Sequence, residues 1–178
     1  NKKQITGKKS EFSKNIQENE EGIMATTITA ATLKVTIKEE ILLNNIDQGN
    51  ENILSISSIN EISHRIVTLP SDNSTIALMD FSTVAGAGQF ITGDVKYIRI
   101  TNKDDTYGAY INLTGAAENA WIVVDAGKSL IVSGASSMLD AVASGTVAAP
   151  SVADLTSVKG QSITSAQTVD LDIYVASV

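Results

Sequence analysis

The chain contains no cysteine, a single histidine, two prolines and only 4% aromatic residues across its 178 positions. Without cysteine there are no disulfides and no thiolate metal sites, and thiol usage carries no signal of redox compartment. One histidine and no cysteine supply too few nitrogen and sulfur ligands for a catalytic zinc. Any Ser–His–Asp triad would have to use His64, and no G-x-S-x-G elbow presents a serine to it. The shortage of rings weakens base-stacking and sugar-stacking readings. Basic charge is also short: 13 Lys and Arg stand against 20 Asp and Glu, a net charge of −7. A general nucleic-acid binder needs a basic footprint to neutralise phosphates, so nucleic acid is not an expected partner. No apolar run approaches the ~18 residues of a membrane span, and no basic-then-apolar signal peptide opens the chain. A membrane is not an expected partner either.

What is present is enough for a core. Residues are 43% hydrophobic, and a chain of this size suits one domain, or a domain plus an arm, burying roughly 70% of its unfolded surface. Residues 1–23, "NKKQITGKKSEFSKNIQENEEGI", are polar, with five lysines against four glutamates. Such a segment cannot bury enough apolar surface to fold alone. It reads as a charged flexible arm, either a solvated tail or a segment that orders only against a neighbour, its lysines suiting an acidic partner or another copy's acidic body. Met24 and the small residues after it read as a translation start. Residues 24–178 read as a single β-sandwich domain.

From Thr26 onward the pattern has period two. In "LKVTIKEEILL", Leu33, Val35, Ile37, Ile41 and Leu43 fall on one face, with Lys34, Thr36, Lys38 and Glu40 mostly on the other. "NNIDQGN" has turn chemistry. "NILSISSINEISHRIVTLP" follows, with Leu54, Ile56, Ile62 and Ile66 in one parity, and Pro70 ends it because proline cannot donate to a ladder. "STIALMDF" is a short strand, and glycine-rich "STVAGAGQFITGD" is a loop or bulged edge. "YIRITNKDDTYGAYINLTG" reads as a hairpin with a polar tip, Ile98 and Ile100 facing one way and Tyr97 and Arg99 the other. "WIVVDAGKSLIVSG" reads as a second hairpin, turning tightly at Ala126-Gly127. Ser136 or Ser137 could cap one short helix over Met138–Ala143, stopped by Gly145. In "TVDLDIYVASV", Val169, Leu171, Ile173 and Val175 alternate with Asp170, Asp172 and Tyr174. About nine short strands with at most one short helix imply an all-β fold, an antiparallel β-sandwich or jelly roll.

Candidate chemistry is sparse. His64 shares parity with Ile62 and Ile66 and reads as a half-buried, hydrogen-bonded residue. Gly127-Lys128-Ser129 ends like a phosphate loop, but Ile122 stands where the first glycine belongs and a strand follows. "GAGQFI" lacks the third glycine of a dinucleotide fingerprint. Asp104 and Asp105 are adjacent at the proposed hairpin tip, where strand neighbours point apart, and they read as a solvated turn. Asp170 and Asp172 share a strand face, but no ringed cleft accompanies them. The glycosylation patterns at Asn73 and Asn112 read as chance. Trp121 reads as a core or interface anchor. No catalytic, cofactor-binding or metal-ligating residue is expected, and the chain reads as a non-enzyme.

The blocks "NNIDQGNENILSISSINEISHRIVTLP", "VKYIRITNKDDTYGAYINL", "WIVVDAGKSLIVSG" and "VDLDIYVASV" resemble a group of short all-β proteins encoded by tailed bacteriophages, especially marine and cyanobacterial ones. The resemblance covers roughly residues 24–178 and lies in layout and hairpin phrasing. It implies a virion structural component, assembled in the host cytoplasm, whose partners are further copies of itself and the major capsid protein or other virion proteins. A capsid decoration or cement subunit is the leading expectation. A neck, tail or fibre-associated subunit is the alternative, and a carbohydrate-binding adhesive module is a third. The last would need two or three exposed rings on one face, with Tyr97, Tyr107, Tyr110 and Trp121 as candidates.

Overall fold

The computed structural model describes residues 28–140 and 152–178. The body is built from two sheets whose strands alternate buried and exposed side chains. One sheet has five strands in the order β10(Asn119–Val124), β9(Ala109–Gly115), β12(Leu155–Ser162), β6(Ile76–Ser82) and β7(Gln89–Ile91). The other has four, β11(Ser129–Val132), β8(Val95–Asn102), β13(Val169–Ser177) and β5(Glu61–Leu69). All pairings are antiparallel except β6 with the short edge strand β7.

One core lies between them. Ile98 and Ile100 of β8, and Leu171 and Ile173 of β13, meet Ile111 of β9 and Val158 of β12, all essentially solvent-free. The protein is therefore an all-β sandwich, and the alternation in "VDLDIYVASV" and around Arg99 places the faces as expected. Pro70 directly follows the last residue of β5, consistent with its missing donor. Gly160 sits in β12 where a Cβ would lie 2.8 Å from Leu69 Cδ2 and 3.0 Å from Leu78 Cδ1. A side chain there would separate the two leucines that close the core.

A two-stranded ribbon extends this body. β1(Ala31–Glu39) pairs with β4(Asn50–Ile59) and with no other strand among the described residues. Its tip is a small hairpin of β2(Leu42–Leu43) and β3(Ile46–Asp47), turned by Asn44 and Asn45 at φ 52° and 65°. Two successive positive φ values are what a type I′ turn demands, and asparagine tolerates them. β4 leads into β5 through Asn60 alone.

Three expectations are corrected. The stretch 97–115 is not a hairpin: β8 belongs to the four-stranded sheet and β9 to the five-stranded one, so residues 103–108 arch from one layer to the other. β10 and β11 are likewise in different sheets, and Asp125–Lys128 is a second arch beside the first. A type I′ hairpin turn at Ala126-Gly127 would need positive φ at both residues, and Gly127 alone has it, at 69°. Finally, Met138 and Leu139 do not begin a helix. Leu139 forms an isolated bridge with Ala153, and Ser137 takes φ 53°. The rest of the expected helix, from 141 on, lies outside the described residues, as does the expected arm 1–23.

Candidate interaction surfaces

The acidic stretch "NKDDTYG" resolves into an arch clamp. Asn102, the last residue of β8, has the inward parity of Ile98 and Ile100 and is fully buried. Its Nδ2 donates to the carbonyl of Tyr107 at 2.9 Å and to that of Val124 at 3.0 Å, while its Oδ1 accepts from the amide of Asp104 at 2.9 Å. One side chain thus satisfies backbone groups at both sheet crossings. The arches also bond directly, through the Gly127 amide to the Asp104 carbonyl and the Asn102 amide to the Lys128 carbonyl. Asp104 Oδ1 accepts from the amides of Tyr107 (2.7 Å) and Thr106 (2.8 Å). Those bonds, Tyr107's first, favour the ionised form and hold the Asp104 carboxyl below its usual range. Asp104 and Asp105 are turn-forming residues.

The outer face of the four-stranded sheet carries a polar cluster. Register places Tyr174 of β13 between His64 of β5 and Arg99 of β8. His64 Nε2 lies 2.7 Å from Asp172 Oδ1, and Arg99 donates to Asp172 Oδ2 at 3.2 Å. Asp170 Oδ1 accepts from Thr68 Oγ1 at 2.6 Å. The two aspartates of one strand face are therefore divided between separate partners. The His64 side chain is 56% exposed, more open than the half-buried reading. Surface ion pairs of this kind contribute about 0–1 kcal/mol. Ile62, Ile66 and Ile131 stand exposed around the cluster on the same face. Among the described residues no group of three or more His, Asp or Glu side chains gathers into a metal site.

The four candidate aromatic residues are scattered. Tyr97 is buried on the outer face of the four-stranded sheet, under the base of the ribbon, where burial pushes its phenol above its ordinary pKa. Tyr107 packs against the main core. Only Tyr110 and Trp121 come together, edge to face at 6.1 Å on the outer face of the five-stranded sheet. Trp121 is half exposed and so is not a core anchor. Asn112, opposite Trp121 in register, is buried and bonded by Thr114 Oγ1, which removes it as a glycosylation site.

The ribbon is the surface that the sequence pattern hinted at without disclosing its form. Cross-strand pairs Leu33–Ile56 and Val35–Leu54, with Ile37 and then Glu39 beyond, set these side chains on one face, while Lys34, Thr36, Lys38, Glu51, Ile53 and Ser55 take the other. Near the body that face is covered: Leu33, Val35 and Ile56 pack against the cluster of Ile59, Tyr97 and Ala176. Farther out it is open, with Ile37 and Leu54 about half exposed and Ile41, Leu43 and Ile46 at the tip more so, while the exposed Leu42 points opposite to its neighbour Leu43. The parity of Leu54 and Ile56 does not continue unbroken into Ile62 and Ile66. Ser58, at φ 64°, interrupts it before β5 begins. A two-stranded ribbon is marginally stable in water, and its exposed aliphatics make it a candidate interaction surface.

Comparison of the chain with protein-family models, with curated proteins and with solved structures finds no match in any of the three.

Proposed function

We propose that this chain is a non-enzymatic structural subunit of a tailed-phage particle, a capsid decoration or cement protein that works by assembling with other copies of itself and with virion proteins. The observation that carries the assembly role is the β1–β4 ribbon, which extends an open apolar face beyond a sandwich that already has its own core. A domain gains nothing for its own stability from the distal half of such a ribbon. A subunit gains an attachment device. The phage setting rests on the resemblance of the hairpin-like blocks to virion proteins. The net negative charge suits a subunit that must stay dispersed until it assembles.

The test is immunogold labelling of purified particles of the encoding phage with antibody against the purified chain, with mass spectrometry of the same particles. Regular labelling of the head at fixed copy number is the expected result. Labelling at the neck, tail or fibres would move the subunit to that alternative location, and particles free of the chain would refute the virion role.

The Tyr110–Trp121 pair supports a second reading, a glycan-binding module, because one exposed indole beside a tyrosine offers a small stacking platform. Glycan-array binding abolished by Trp121→Ala and Tyr110→Ala would favour it, whereas no array signal from the unmodified chain would remove it.

A further inference from the structure

We infer that the outer face of the five-stranded sheet binds an acidic sugar, with the sugar ring on Trp121 and its carboxylate at Lys159. This inference rests on the glycan reading above and names the class of sugar.

Parity and register assemble the face. Ile111 and Val158 point into the core, so their neighbours Tyr110 and Asn112 on β9, and Lys159 and Gln161 on β12, point out. Asn112 stands opposite Trp121 on one side and opposite Lys159 on the other. Tyr110 likewise stands between Val123 and Gln161. Two neighbouring rows therefore run from an apolar rim to a polar middle. At the rim, on edge strand β10, Trp121 and Val123 are each about half exposed.

The polar middle has hydrogen-bond donors in excess. Thr114 Oγ1 donates to Asn112 Oδ1, and Thr75 Oγ1 donates to Gln161 Oε1 at 3.2 Å. Both amide oxygens are thus engaged, while both amide nitrogens lack a partner among the described residues. Asn112 is only 5% exposed, yet its Nδ2 still reaches the surface. A side chain so enclosed, with its donor left open, is held in place to meet something. Lys159 lies beside both amides and forms no ion pair among the described residues. Asp80 stands one row farther on, opposite Ser157, and does not pair with it.

The chemistry of the occupant follows. An unmatched cation between two open amide donors suits an anion rich in acceptor oxygens. A half-exposed indole, packed edge to face by Tyr110, suits the apolar C–H face of a ring. A carboxylated sugar supplies both. Trp121 and Lys159 are two strands apart, ~10 Å across the sheet, a span that a sugar ring and the lysine stem cover together. Nucleic acid fits less well. It would bring one charge per nucleotide to a chain of net charge −7, and among the described residues this face answers with Lys159 alone.

The test is a glycan array of oligosaccharides ending in glucuronate, galacturonate or sialate, each beside its counterpart with the carboxyl reduced to an alcohol. At least one acidic member should bind, about tenfold or more tightly than its reduced counterpart. The chain has a single tryptophan, so titrating that pair against intrinsic fluorescence reads the site directly, and the emission should shift to the blue and saturate. Lys159→Met keeps the stem and removes the charge. It should abolish the preference for the acidic member and leave the weak binding of the reduced one unchanged, and Lys159→Arg should restore the preference. Gln161→Glu sets a carboxylate on the face and should weaken the acidic member selectively. Both positions are partly exposed, so these variants should keep the far-UV spectrum and thermal transition of the folded sandwich. Equal binding of acidic and reduced members, an unchanged preference in Lys159→Met, or binding that leaves the emission unmoved would each overturn the inference. Equal binding would leave the broader glycan reading standing, whereas an array with no signal at all would remove both.

Discussion

Replacing Asn102 by alanine should be among the most damaging single changes in the molecule, although no apolar contact is lost. Three hydrogen bonds disappear, to the carbonyls of Tyr107 and Val124 and from the amide of Asp104. A net contribution of about 1 kcal/mol per bond gives ~3 kcal/mol. The bond to the Val124 carbonyl is buried and that to Tyr107 partly so, and an orphaned buried acceptor costs about 1–3 kcal/mol. A loss of roughly 3–5 kcal/mol is expected, a large fraction of a typical domain stability of about 5–15 kcal/mol. The assay is urea unfolding, reading a lower midpoint at unchanged slope. Asn102→Asp sharpens the test. It keeps the acceptor for Asp104 but turns a donor into a carboxylate oxygen facing two carbonyls, so it should be at least as damaging as alanine at neutral pH. It should recover part of its stability in acid, where protonation restores one donor. If Asn102→Ala costs less than about 1 kcal/mol, the clamp is not what joins the arches and the reasoning fails.

Two further predictions follow from local geometry. The depressed Asp104 carboxyl contributes stability that is present above the ordinary carboxylate pKa and is lost as pH falls below about 4; Asp104→Asn should therefore be less stable than the unmodified chain at pH 7, with the gap closing in acid unfolding series. Gly160→Val should cost about 1–3 kcal/mol by overpacking, because its Cβ would meet Leu69 at 2.8 Å and Leu78 at 3.0 Å, and calorimetry that shows an unchanged midpoint would contradict that packing.

Strand faces were readable wherever a strand has one wet side. The alternation around Arg99 and through Val169–Val175 places the same residues inside that the folded chain buries. Pairing was not readable, since turn chemistry says that a chain bends and is silent on which strand it then joins. The arch at 103–108 did leave one signal, a polar Asn102 at an inward parity, which a simple hairpin has no need of. The ribbon's apolar stripe was visible as a pattern, but period two cannot tell a face covered by its own domain from one left open. His64, Arg99 and Asp172 come from three strands far apart in sequence, and no local spacing could have gathered them.

The placement of β13 has a consequence for the order of events after synthesis. It is the last described strand, yet it lies between β5 and β8, and the hydrogen-bonded His64 and Asp172 are 108 residues apart. Closing a loop of that length is entropically expensive and makes for slow folding. The ribbon, by contrast, joins strands separated by a short local connection and can form while the chain is still emerging from the ribosome. A nascent chain can thus pair its ribbon early but has no completed four-stranded sheet until β13 arrives. A ribbon paired before then has no Ala176 beneath its inner face, so the packing of Leu33, Val35 and Ile56 is completed last.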